Sequence, residues 1–467
     1  MVMALDKARM LLAASSVLAL AACGSVAGQH AQAGATTTPV PASAHGTPAG
    51  GSCGPPPPRY AWAVDVTTAG RMLWKTPLAT TNTFLSSNTA PLVVGPVAVL
   101  AQDGTVHGLD LADGHPLWSW AGGQDVYGMW RWGALVAVLT DQVSNHSRLT
   151  GLDAATGAVR WSLRLPARGL LGDQAATADG GLAMAVVGGT LQVVNLADGR
   201  VRWQRHIPAS SALTAADGLV IYGLNGRLTG YDDRTGRLRW TARGLPQAPA
   251  IQLTGGLVLV TSNEQGPGIS TALTAVIPGT GHIAWRFDRG EPLTVLAAGP
   301  AGLTVAAYVF NRWLYLLDPR TGRLRWQAQT FVTEGNIPLV TRTDVLVLEG
   351  LQTVALVDRN AADGRVIWQN TLTNPPVGSQ PVTQAGSLAL LPGGPRVPGT
   401  AAPLLAYDRA SGRLAWRTDM PTFVQSPPVL TAGGILVQSA DLIYACAAAG
   451  SAAALRTGAG NTTAGPA

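Results

Sequence analysis

Nine tryptophans, Trp74, Trp118, Trp161, Trp203, Trp240, Trp285, Trp326, Trp368 and Trp416, each have a glycine four residues before them, and successive tryptophans lie 37 to 48 residues apart. A period of that length is the signature of a repeat array, in which each unit buries its apolar face only by stacking on its neighbours. The repeat therefore outranks the 467-residue length as a guide to organisation: the chain builds one continuous core rather than two or three separate domains.

Each unit reads as an apolar strand, a Gly or Asp-Gly turn, a second strand and then a hairpin ending in the tryptophan, as in Asp232-Asp233-Arg234-Thr235-Gly236-Arg237-Leu238-Arg239-Trp240. Runs such as 256–260 and 218–222 are rich in β-branched and bulky residues and bounded by turn formers. Eight before the tryptophan stand Asp110, Asp153, Asn195, Asp232, Asp318 and Asp408, short acceptors suited to capping turn N–H groups; Ile277 and Asn360 break the acidic pattern. The repeated glycine supplies the left-handed conformation of the hairpin loop. Met72, Pro116, Val159, Val201, Leu238, Ile283, Leu324, Val366 and Leu414 lie two before each tryptophan, and a strict period of two places them on its buried face. Arg71, His115, Arg200, Arg237, His282, Arg323, Arg365 and Arg413, three before it, should then point outward and protect an exposed sheet edge.

Composition agrees with an all-β chain of many short strands: 47% hydrophobic and 12% charged residues, 56 glycines and 32 prolines. The net charge of +6 raises the question of nucleic acid, but arginines that recur with the repeat are spread around a rim instead of lining one groove, which argues against that partner.

Gly151-Leu152-Asp153-Ala154-Ala155-Thr156-Gly157-Ala158-Val159-Arg160-Trp161 and the matching stretch from Leu316 to Trp326 resemble the PQQ-like β-propeller repeat over roughly residues 60–446. The resemblance implies four-stranded blades around an axis, with each tryptophan docked on the neighbouring blade. Eight full units follow Trp74. The hairpin 60–76 and the strands 424–446 would close or cap an eight-bladed ring; literal counting gives nine. The family divides into quinoprotein dehydrogenases, which hold PQQ and calcium on the axis, and non-catalytic members such as the BamB-like lipoproteins of the envelope. The dehydrogenases carry an adjacent Cys-Cys pair, whereas the three cysteines here, Cys23, Cys53 and Cys446, are far apart. The histidines show no metal-ligand spacing and no catalytic triad or phosphate loop emerges, so no catalytic residue, metal or cofactor is expected.

Residues 1–22 have the charged and apolar regions of an export signal, and Leu20-Ala21-Ala22-Cys23 resembles a bacterial lipobox, which implies a lipidated Cys23 and a membrane anchor. Residues 23–59 are too poor in large apolar side chains to fold and read as a tether, residues 60–446 as the propeller and 447–467 as a tail. Disulfides persist in exported proteins, so Cys53 and Cys446 either pair across a ring closure or remain two thiols. What remains is recognition by a monomeric propeller, with other envelope proteins as expected partners; the alternatives are a PQQ-dependent dehydrogenase holding PQQ and calcium, and a cell-wall glycan-binding module. Trp130-Arg131-Trp132, with both indoles on one face, is a candidate surface or a piece of core, and the Pro/Gly-rich insertion 392–403 is a candidate loop.

Overall fold

A computed structural model describes residues 59–438 except for connecting stretches, of which 65–69, 79–88, 142–146, 166–173, 208–211, 263–270, 308–311, 333–336, 377–380, 395–401 and 421–427 are those of four residues or more. Cys23, Cys53, Cys446 and most of the 392–403 insertion lie outside the described residues. All regular structure among the described residues is β-strand, arranged as nine antiparallel four-stranded sheets.

Eight sheets are contiguous in sequence, each with its strands in the order A, B, C, D. Blade 2 spans Leu92–Ala121, blade 3 Asp125–Arg164, blade 4 Gln174–His206, blade 5 Leu213–Arg243, blade 6 Pro249–Asp288, blade 7 Leu293–Gln329, blade 8 Leu339–Thr371 and blade 9 Thr383–Met420. Blade 1 takes its inner strands from the C-terminal side, Val429–Leu430 and Ile435–Gln438, and its outer strands from the N-terminal side, Arg59–Val64 and Met72–Leu78. The eight expected units are thus present. The terminal pieces that were to close the ring form a full sheet of their own, and the ring counted in sheets has nine.

Closure can be followed tryptophan by tryptophan. Trp74 lies against Gly114, Trp118 against Gly157, Trp161 against Gly199, Trp203 against Gly236, Trp240 against Gly281, Trp285 against Gly322, Trp326 against Gly364, Trp368 against Gly412, and Trp416 returns to Gly70. All nine glycines have φ between 65° and 76° and sit so close under the indole that a methyl group would overlap it. Eight of the indole N–H groups donate, at 2.8–3.2 Å, to the carbonyl three residues before that glycine. The position at the same offset for Trp416 is residue 67, outside the described residues.

Packing follows the same count, with one apolar cluster at each of the nine seams. Leu390, Leu404 and Trp416 of blade 9, for example, meet Ile435 and Val437 of blade 1, while Trp74 and Leu436 of blade 1 meet Leu100 and Leu109 of blade 2. The middle strands are therefore covered on both faces. Val97–Gln102, Gly302–Ala307 and Asp344–Glu349 are buried at every residue, which is why they read as apolar runs rather than alternating ones.

One expectation is corrected. Val159, Val201, Leu238, Ile283, Val366 and Leu414, two before their tryptophans, are 39–59% exposed rather than buried with the indole. The reason is a β-bulge in every blade. In blade 3, Trp161 faces Gly151 and Val159 faces Leu152, so Arg160 is an extra residue and the parity changes across it. The arginines and histidines three before the tryptophan are all exposed, as a solvated rim requires.

Candidate functional site

Where the copies agree, the charged residues serve the hairpin. Asp153 Oδ1 accepts the N–H groups of Ala155 and Thr156 and the Thr156 hydroxyl, each at 3.1 Å, and Oδ2 accepts Arg160 Nη2 at 2.8 Å. Asp232 and Asp318 repeat this arrangement with Arg239 at 2.7 Å and Arg325 at 2.9 Å. These partners hold all three carboxyls below the ordinary range, the arginine being the largest cause in each case, and bring Asp318 to about 2. The arginine before the tryptophan thus clamps the turn, a role not legible from its exposure alone. A second set went unread in the sequence. Thr76, Arg205, Asn370 and Thr418, two after their tryptophans, donate to the carbonyl of the next blade's glycine, at 2.6 Å for Arg205 and 2.8 Å for Asn370. Their polarity at a position otherwise filled by Trp120, Leu163, Ala242, Phe287 or Ala328 was the available signal.

The copies differ in two places. The first follows from Asn195, which stands where other blades have the clamped aspartate and bears no charge. Arg202 of blade 4, free of that partner, turns to the A–B turn of its own blade. There its Nη1 reaches both Asp179 oxygens at 2.8 and 2.9 Å, and its Nη2 donates to the Asp179 carbonyl at 3.1 Å. Arg234 of blade 5 adds Nε to Asp179 Oδ2 at 3.0 Å. Burial works to raise the Asp179 carboxyl, but Thr177, Arg202 and Arg234 together hold it at about 2. Beside this bridge lies a cavity of about 620 Å³ between turns of blades 4, 5 and 6, lined by Asp179, Asp217, Asp232, Asp233, Arg234 and Arg239 among others. Asp217 and Gly218 form its rim through a turn with φ of 52° and 71°, the pairing that a two-residue hairpin loop needs. Asp233 is 5% exposed, and its carboxyl is raised by burial first and then by Asp179 and Asp232.

The second place is blade 8 and its seam with blade 9. Asp358, 1% exposed, faces Trp368 across the C–D pair, where other blades have Gly108, Gly151, Val193, Gly230, Ala275, Leu316 or Ala406. Its Oδ1 has no hydrogen-bond partner. Burial and the nearby Asp344 raise its carboxyl to about 7, against the pull of Arg409, which binds both Asp344 oxygens at 2.8 Å. Because the folded value lies above the unfolded one, the native state holds an extra proton between about pH 4 and 7, and stability falls as pH rises through that window. Asp358→Asn should remove this slope and stabilise the protein by on the order of 3 kcal/mol at pH 8. Urea melts at pH 5 and 8 that shift in parallel for both proteins would contradict it.

Among the described residues, Asp110, Asp113 and His115 form one group of three possible metal ligands with atoms within 4.8 Å of one another, and Asp113 and His115 are exposed. Hydrogen bonds of the turn account for them: Asp110 accepts the Ala112 N–H at 2.8 Å, and Asp113 contacts His115 Nδ1 at 2.7 Å. Trp130 packs half-buried against the seam with blade 4, beside Leu139 and Leu182. Trp132, 36% exposed, covers Gly180 of that blade. Arg131 turns the other way and donates to the Val93 carbonyl of blade 2 at 3.0 Å. The triplet therefore joins blade 3 to both neighbours.

A closed ring of four-stranded sheets with a tryptophan docked at every seam defines the class as a PQQ-like repeat β-propeller. The family profile described as "Outer membrane protein assembly factor BamB" matches residues 59–217, 212–344 and 350–460, and the chain belongs to that family. BamB of Yersinia pestis is 27% identical over 231 residues, 44% of this chain and 57% of that protein. The serine/threonine-protein kinase AfsK of Streptomyces griseus is 30% identical over 167 residues, 32% of this chain and 20% of that one. The matches thus span less than two thirds of either relative's own length. Among solved structures, BamB from Moraxella catarrhalis matches with a TM-score of 0.45 and 17% identity, covering 76% of this chain and 95% of that one.

Proposed function

We propose that this protein is an exported, lipid-anchored and non-catalytic scaffold of the cell envelope, held to its membrane through Cys23 and binding other envelope proteins. The observation that carries the reading is how the recurring charges are used. Asp153, Asp232 and Asp318 are each bound within their own turn and by their own arginine, so the repeated acids serve the framework, and the distinctive chemistry is left to the turns where blades differ. Membership of the BamB family supports an assembly or scaffold role, and the apolar 10–22 segment ending at Cys23 supports export and anchoring.

Crosslinking in the native host, followed by identification of the captured proteins, tests the partner class; recovery of envelope proteins at background level would count against it. Cys23→Ala should move the protein from the membrane to the soluble fraction, and a variant that stays membrane-bound would refute the anchor. Quinone absorbance together with dye-linked alcohol oxidation after adding PQQ and calcium would overturn the non-catalytic assignment.

A further inference from the structure

The position seven before the tryptophan is where each blade's C–D turn offers its carbonyl to the preceding blade's indole. It is held by Leu111, Ala154, Leu196, Pro278, Pro319 and Ala361, and is charged only at Asp233 of blade 5 and Arg409 of blade 9. At blade 9 the charge is answered from the blade before it, since Arg409 binds both oxygens of Asp344 at 2.8 Å. At blade 5 the arrangement is inverted. The residue at this position is an acid, and the group it meets from the blade before is another acid, Asp179, already bound by Arg202 at 2.8 Å and Arg234 at 3.0 Å. Asp232 beside it is bound by Arg239 at 2.7 Å.

Asp233 is thus left as a carboxylate that is 5% exposed, faces the cavity of about 620 Å³, and has no hydrogen bond or ion pair to its side chain among the described residues. Arg202 and Arg234 lie near enough to offset part of its charge but are spent on Asp179, so Asp233 is buried with no donor of its own, which is costly, and the space beside it is of the size that holds a ligand group. The exposed Asp217 stands at the mouth of the same cavity. Asp179, Asp232 and Asp233 do not bring three ligand atoms within 4.8 Å of one another, so the geometry does not suit a small metal ion. A planar cation that donates in a fork does suit a single carboxylate at the end of a cavity.

We propose that the cavity between blades 4, 5 and 6 is a docking site for an arginine side chain of a partner protein, with Asp233 as the buried acceptor and Asp217 as the outer one. The inference rests on the reading of this protein as a binding scaffold and names the chemistry its partner presents. In the filled site the guanidinium gives Asp233 the opposite-charge partner across the seam that Arg409 has in Asp344 at blade 9, supplied from outside the chain.

The test uses the full-length protein and N-acetyl-arginine methylamide, observed by saturation-transfer NMR on the ligand, with N-acetyl-lysine methylamide in parallel. Saturable binding of the arginine probe is expected, weakened about tenfold or more by Asp233→Asn, the loss expected when one side of a charge-assisted hydrogen bond is removed. Asp217→Asn should weaken it less. An arginine probe that gives no saturation transfer, binds Asp233→Asn as well as wild type, or binds no better than the lysine probe overturns the assignment. Crosslinking separates this from the broader reading. If envelope proteins are captured equally by wild type and Asp233→Asn, the arginine site falls and the scaffold role stands; if the probe binds but no envelope protein is captured, the scaffold role falls and the site stands.

Discussion

Gly236→Ala is expected to destabilise the protein by about 3–5 kcal/mol, while Gly218→Ala, in the same blade, costs about 1 kcal/mol. Both glycines are left-handed, with φ of 65° and 71°, so both substitutions carry the conformational penalty of a side chain in that region. They differ in what the methyl group meets. At Gly218 there is nothing within 4 Å, whereas at Gly236 the new carbon falls 2.7 Å from the Trp203 indole. That indole is fixed by its N–H bond to the Asp233 carbonyl at 2.9 Å and cannot withdraw without opening the seam between blades 4 and 5. The cost of Gly236→Ala should therefore approach that of deleting a buried tryptophan. Urea midpoints for the two variants measure the contrast, and equal losses would show that the glycines are selected for backbone conformation alone.

Arg359→Met is expected to cost about 3–5 kcal/mol, and Glu349→Leu combined with Arg359→Met markedly less. Arg359 Nε and Nη2 bind the two Glu349 oxygens at 2.6 and 2.8 Å in the middle strands of blade 8, with side chains only 11% and 9% exposed. Removing the cation alone leaves a buried carboxylate whose remaining side-chain donor among the described residues is the Thr330 hydroxyl at 2.7 Å. Replacing both with apolar groups removes the stranded charge and gives position 359 the apolar character of its counterparts Leu109, Leu152, Val194 and Leu317. Arg359 also donates to the Gly364 carbonyl at 2.9 Å, supporting the turn on which Trp326 rests, so some loss persists in the double variant. A double variant as unstable as Arg359→Met would place the whole effect in that turn contact.

The architecture was legible because its residues recur. One Asp-x-x-Thr-Gly hairpin is ambiguous, but the same glycine before nine tryptophans leaves the turn and the docking indole as the common explanation. The blade's outer strand was misread at one point: the bulge at Arg160 and its counterparts inserts a residue, and alternation cannot be counted across an insertion that leaves no mark in composition. The cavity at blades 4 to 6 was illegible for a different reason. It depends on a missing charge at Asn195, which redirects Arg202 to Asp179, and the pairing joins residues from separate turns that only the folded blade brings together. Asp358 was invisible likewise, since its shifted acidity comes first from burial in the folded blade and then from Asp344.

Blade 1 joins residues 61–64 to residues 435–438, so its sheet exists only once the last of the described strands are available. As the chain is made from its N-terminus, the Arg59–Val64 edge stays unpaired on this side until the Ile435–Gln438 strand is available. Closing the ring is therefore a clasp between the first and the last of the described strands. A truncation that removes only residues 429–438 should leave eight intact sheets and a sticky edge, giving chain-to-chain association in place of simple unfolding.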